Sequence, residues 1–371
     1  MSKMNYISKG VYGVVAISTL VFVLFISQQV VEFEPVYQEN SYDDEFIYGE
    51  VVEVSHSSSE SGIELLVRAE SGKMEGEVVV SGVSAIHNFN KYGIGDDVQV
   101  YVMTNMATNE ITYEVADYYH QNGLFWILML FSIIAIAVAW KKGVTAILSV
   151  GISLALFYFV FLKMVVLGVS PVFACLVFVL VVTALTVPLI HGFNKKALSA
   201  MVAIFIGYVL SFYAAYLFKD MVQLGVAPSE EFRVLGIMYP NISLSDILIA
   251  SLFMGAVGAL IDTAISISSA IFEAVEQYSK QTFGKIYKIG MEVGKDVLGS
   301  MINTLLFAYL ASALPFLILV SLGQESGFAE LVNMDFIALE LTRTFVGAIS
   351  LVLLIPITAS ISAYVFVKFK K

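Results

Sequence analysis

Asp246–Leu322 reads DILIASLFMGAVGALIDTAISISSAIFEAVEQYSKQTFGKIYKIGMEVGKDVLGSMINTLLFAYLASALPFLILVSL. Two hydrophobic spans flank a basic turn, and both carry ionisable or amide groups where a lipid-facing helix carries none. In the first, Asp262 is followed by Thr263, Ser266, Ser268 and Ser269; in the second, Lys295 and Asp296 precede Ser300, Asn303 and Thr304. At helical spacing Asp262, Ser266, Ser269 and Glu273 form one stripe. Asp296, Ser300 and Thr304 form another, with Lys295 and Asn303 beside it. Facing polar stripes within apolar helices make this stretch the expected seat of function.

The composition agrees with a membrane setting. Of 371 residues 58% are hydrophobic and the mean hydropathy is +0.83, far from soluble averages and typical of helical proteins with many spans. A single cysteine, Cys175, lies in an apolar run, which excludes an internal disulfide framework and a cysteine metal site. The net charge of −11 is unevenly spread: Glu32–Gln121 holds 18 acidic and 3 basic residues, the remainder 13 acidic and 17 basic.

Lys3 and Lys9 precede an apolar run, Val11–Val31. A cleaved signal peptide has a similar start, but this run is long enough to span and ends without a small-x-small site, so it reads as an uncleaved anchor. The acidic segment that follows alternates at period two over Ile47–Val54, Ile63–Ala69, Glu77–Gly82, Val98–Met103 and Ile111–Val115, with glycines between. Strands of this length and spacing predict an OB-like or other small barrel. Its acid load reads as a solvated surface, with cation capture the rival reading. His56, His87 and His120 are too scattered for a metal site.

Seven further apolar runs follow: Gly123–Trp140, Gly143–Leu162, Pro171–Ile190, Ala197–Phe218, Leu244 to about Ser268, Val297–Leu322 and Leu341–Val367. With the anchor they predict an α-helical integral membrane bundle of eight transmembrane helices and a small extracytoplasmic β-rich domain. The expected division is 1–31 (tail and anchor), 32–121 (acidic β-domain) and 122–371 (seven-helix domain). Basic residues gather on one side of these spans, as at Lys141–Lys142, Lys195–Lys196, Lys280–Lys288 and Lys368–Lys371. By the positive-inside rule both termini are cytoplasmic and residues 32–121 are outside. Between spans five and six, Lys219–Ser245 is amphipathic and broken by Pro228 and Pro240, which suits an interfacial connector or a lid.

Two blocks carry a family likeness. GAVGALIDTAISISSA at Gly255–Ala270 and GMEVGKDVLGSMINTLL at Gly290–Leu306 resemble the hallmarks of the YibE/F family of bacterial membrane proteins, and the likeness extends over nearly the whole chain. The resemblance implies a bacterial, Gram-positive, cytoplasmic membrane and a multi-pass fold. It implies no substrate.

Asp262 lies sixteen residues beyond Asp246, roughly 24 Å along the helix and past the midplane. An unpaired carboxylate there costs roughly 2.5 kcal/mol or more, so it needs a partner, a proton or water. One reading is a relay through Asp262 and Asp296, with Thr263, Ser266, Ser269, Lys295, Ser300, Asn303 and Thr304 lining a solute or ion pathway. The other is an Asp262–Lys295 clasp with serines bonded across the helix interface. Gly255, Gly258, Gly290, Gly294 and Gly299 suit close helix packing, or breaks that turn backbone groups toward an ion. Arg343 is expected to pair with Glu340 and snorkel outward. No phosphate loop, HExxH, GxSxG or catalytic Cys/His pair is present, so the chain reads as non-enzymatic, without cofactor or metal. The leading expectation is a transporter or permease for a small solute or ion. The alternative is a non-transporting scaffold or sensor whose outer domain binds an envelope partner. The partners these readings imply are the lipid bilayer, the solute or ion, and a second copy of the chain or an envelope protein; nothing points to nucleic acid.

Overall fold

Alternating apolar residues close the amino-terminal barrel. The computed structural model describes residues 42–56, 63–83, 92–105, 108–225, 228–277, 282–323 and 327–368. Five strands, β1 Tyr42–His56, β2 Ile63–Ala69, β3 Val78–Val83, β4 Asp97–Asn105 and β5 Ile111–Tyr118, form a closed barrel in the order β1-β2-β3-β5-β4. All pairs are antiparallel except β3 with β5. Ile47, Val51, Leu65, Val67, Val98, Val100 and Val115 point inward, as the period-two pattern requires. The long β1 serves two neighbours, and at Gly49 it passes so close to β2 that an added Cβ would run into the Arg68 carbonyl. His87 lies outside the described residues; His120 is exposed beside Asp117. Among the described residues no three His, Cys, Asp or Glu side chains gather as a metal site would need.

Among the described residues seven helices are long and apolar enough to cross a membrane. They are α1 Gln121–Ala139, α2 Lys141–Val166, α3 Pro171–His191, α4 Lys195–Val222, α6 Leu244–Gln277, α7 Phe283–Gly323 and α9 Asp335–Lys368. Two short helices, α5 Glu230–Met238 and α8 Phe328–Val332, stand between them. The anchor expected over 11–31 lies outside the described residues. By contact the chain divides into two compact units, one including the barrel and α1, the other running from Lys141 onward. Trp140, at φ 49°, separates α1 from α2.

In the second unit α9 is the central element, packed against α4, α6 and α7. The fully buried Phe253, Leu260 and Leu354 lie in its core with Ile204 and Leu351. Glycines set how closely the helices approach. At Gly290 an added Cβ would sit 2.7 Å from Ile271 and 2.8 Å from Ala359; at Gly294 it would run into Ile355; at Gly255 it would lie 2.5 Å from the Tyr309 hydroxyl. Gly258 and Gly299, expected among the packing glycines, face open space instead.

The sixth and seventh helices are longer than their apolar runs suggest. The helix α7 starts at Phe283 rather than Val297 because its polar residues Lys285, Lys288 and Glu292 turn outward while Ile286 and Gly290 pack inward. An amphipathic turn extends the span that hydropathy alone cuts short. The close approach at Gly290 leads to an expected outcome. Gly290→Val lowers unfolding stability in detergent by about 1–3 kcal/mol through overpacking. Gly258→Ala, facing open space, leaves it unchanged or raises it by up to about 1 kcal/mol, since alanine favours helix. Thermal melts followed by circular dichroism check both.

Candidate functional site

The polar residues of α6 and α7 fall into two groups, one turned into the bundle and one away from it. On α6, Thr263 and Ser268 are buried, whereas Gly258, Asp262, Ser266 and Glu273 form an exposed stripe with the half-buried Ser269. On α7, Lys295, Asp296, Gly299, Ser300, Asn303 and Thr304 are all exposed. The helices touch: Gly294 meets Ile267 and Gly255 meets Tyr309, so they run antiparallel and Asp262 falls level with Gly299 and Ser300. Asp262 stands near the middle of α6. A hydrocarbon core of about 30 Å takes up roughly twenty residues of helix, so the 34-residue α6 is longer than one crossing needs.

Among the described residues no hydrogen bond or ion pair reaches the side chains of Asp262, Lys295, Asp296 or Asn303. The Asp262–Lys295 clasp is not formed. Packing explains this: the small residues Gly290 and Gly294 aim α7 into α6 and α9, which turns Lys295 and the following polar positions to the far side. Ser300 donates to the Val297 carbonyl at 2.9 Å and Thr304 to the Ser300 carbonyl at 2.9 Å. Both hydroxyls keep lone pairs free to accept. The Thr263 hydroxyl is buried without a hydrogen-bond partner.

Thr263 apart, the inward polar groups of α6 and α7 are paired. Ser268 and Ser362 share a hydrogen bond of 2.9 Å, and Ser362 donates to Ser199 at 3.3 Å, linking α6, α9 and α4 by hydroxyls. Tyr309 donates to the Gly255 carbonyl at 2.5 Å. Arg343 makes two bonds of 2.8 Å to the Glu340 carboxylate and stacks its guanidinium 5.4 Å from the Tyr309 ring centre. The local Glu340 pairing is present, but Arg343 does not snorkel; its side chain is 18% exposed and that of Glu340 5%. These polar knots sit where three helices meet.

The helix ends are fixed in more ordinary ways. Asn194 caps α4 by accepting from the Ala197 amide at 2.8 Å and donates to the His191 carbonyl at 2.8 Å, tying α3 to α4. Before α5, Ser229 donates to the Glu231 carboxylate at 2.5 Å, which holds that exposed carboxyl below its usual range. The Lys219–Ser245 connector thus contains a short helix, and Lys219 itself donates to Ser245 at 3.0 Å.

The model of the YibE/F-like protein family matches residues 127–368, which include both polar helices and the whole second unit from Lys141 to α9. The chain belongs to the YibE/F-like family. Family membership and seven apolar helices make it a multi-pass membrane protein. No curated protein and no solved structure matches it.

Sequence reasoning missed Ser199, Ser362 and Tyr309, which only contacts between distant helices reveal. The buried Glu340–Arg343 pair yields a double-mutant expectation. Glu340→Ala alone costs about 3–5 kcal/mol by leaving Arg343 buried and uncompensated, whereas Glu340→Met with Arg343→Met costs far less. Denaturant titration of the purified protein measures the difference.

Proposed function

We propose that this YibE/F-like protein is a permease in which the outward polar face of α6 and α7 is one wall of a path for a proton or small cation. Asp262 and Asp296 carry the charge between them. Asn303 and the hydroxyls of Ser266, Ser269, Ser300 and Thr304 supply oxygen ligands along the way. One observation supports this above the others: Asp262, at mid-helix depth, has no hydrogen-bond or ion-pair partner among the described residues. A scaffold that used this residue as a clasp would saturate it with donors, and the clasp is absent. Carboxylate, amide and hydroxyl oxygens are hard ligands suited to protons and hard cations. Intramembrane carboxylates of this sort mark ion paths and proton relays in other membrane proteins.

The distribution of lysines supports an orientation with both termini in the cytoplasm of a bacterial cell and the acidic barrel outside. In that orientation the excess negative charge of the barrel lies on the outer side of the membrane, where it raises the local concentration of cations. The test uses the full chain in lipid vesicles loaded with a pH-sensitive dye, with proton and sodium gradients imposed in turn. Flux above that of protein-free vesicles is expected, and Asp262→Asn and Asp296→Asn each remove it while leaving the amount of inserted protein unchanged. Flux that neither change alters overturns the relay.

A further inference from the structure

The outward face of α7 has more on it than a relay needs. Asp296, Ser300, Thr304 and Ala308 recur at every fourth residue and all are exposed, giving a stripe without a bulky side chain over more than three turns. Next to it, Lys295 and Asp296 are adjacent in sequence, opposite in charge and both exposed, on a helix long and apolar enough to span, where lipid would offer them nothing. The hydroxyls of the stripe are bonded to carbonyls of their own helix, so this surface can be covered without leaving them unsatisfied.

A surface that covers Lys295 and Asp296 must bring both signs of charge at one depth. The chain's remaining apolar stretches do not: Lys219 and Asp220 of α4 lie at the end of that helix and pair with each other. Residues 11–31 contain no charged residue, and α1 contains none either; its one hydroxyl, Ser132, is bonded to the Leu128 carbonyl. The buried Glu340 and Arg343 already satisfy each other. The same face on a second copy supplies what is required. Two α7 helices related by a two-fold axis along the membrane normal present Lys295 and Asp296 at equal depth, about 100° apart around each helix. Lys295 of each then meets Asp296 of the other, and the small stripe lets the backbones approach.

We infer that the protein pairs with a second copy of itself through the outward face of α7, with Lys295 and Asp296 exchanged across the axis. The inference rests on the permease reading in one respect: the pair closes the open side of the path, so Asp262 of each chain borders the seam rather than lipid, and Asp296, at the edge common to path and seam, faces both the cation and Lys295 of the other copy.

The test is cysteine cross-linking of the full chain in native membranes. Cys175, the sole cysteine, is buried and directed at the Ala250 carbonyl, so the parent protein serves as a silent background. Oxidation is expected to give covalent dimers with Ser300→Cys, Thr304→Cys and Ala308→Cys. None is expected in the parent or with Val352→Cys, which is exposed on α9. Adding Lys295→Asp to Thr304→Cys lowers the dimer yield by at least about tenfold, since breaking a buried pair is strongly destabilising, and a further Asp296→Lys restores it. Absence of dimer at all three α7 positions, equal dimer at Val352, or failure of the charge exchange to restore pairing each overturns the inference. Cross-linking needs no solute, so the two readings fail separately. Dimers in a protein that moves neither protons nor sodium sink the permease alone; flux through a protein that never pairs sinks the pairing alone.

Discussion

A bilayer core offers no hydrogen bonds, and this constraint bears on the polar side chains of the second unit. Many of those turned inward have found partners, although the buried Thr263 and Ser211 hydroxyls have none among the described residues. Ser199, Ser362 and Ser268 pass hydrogen bonds from one helix to the next, Tyr309 reaches the Gly255 carbonyl, and Arg343 is held by Glu340. Those turned outward on α6 and α7 have not. The division is by helix face, and the same two helices carry both kinds. An unpaired carboxylate near the middle of a span costs roughly 2.5–3.5 kcal/mol on insertion scales, so the outward set has to be offset by water, an ion or a second protein surface.

Glycine placement creates this division. Gly290 and Gly294 draw α7 against α6 and α9, and the inward surface of α7 is used up by that contact. Lys295, one residue beyond Gly294, is thereby turned away from the core, and Asp296, Ser300 and Thr304 follow it at helical spacing. Gly258 and Gly299 belong to the outward set and have no close neighbours. Packing and polar chemistry therefore occupy opposite sides of one helix, and each can change without disturbing the other. The scheme is the reverse of a soluble amphipathic helix, since here both surroundings, core and lipid, are apolar, and only the outward polar stripe calls for a further partner.

Much of the fold was legible because its signals are periodic. Period-two alternation located all five strands, with β2 matched end to end, and long apolar runs located the seven helices. The extents of α6 and α7 were less legible, because hydropathy discounts Lys285, Lys288 and Glu292 although Ile286 and Gly290 continue the packing surface between them. That Asp262, Ser266, Ser269 and Glu273 share one face could be read from spacing alone, but the stripes of the two helices were expected to face each other and instead turn outward. The Asp262–Lys295 clasp could not be judged that way: spacing fixes which residues share a face, but the rotation of α7 against α6 is set by Gly290, Gly294 and their neighbours on α9. The hydroxyl chain through Ser199 and Ser362 was invisible for a related reason, since it joins residues 163 positions apart and neither stands out locally.

The central claim is that the outward face of α6 is not bathed in lipid. A spin label attached at Ser266→Cys in lipid nanodiscs tests it most directly, by comparing relaxation from a water-soluble nickel complex with relaxation from oxygen, which concentrates in lipid. The account predicts strong nickel and weak oxygen effects at Ser266, with the opposite ratio for a label at Val352. A Ser266 label with the same oxygen-dominated response as Val352 would contradict it.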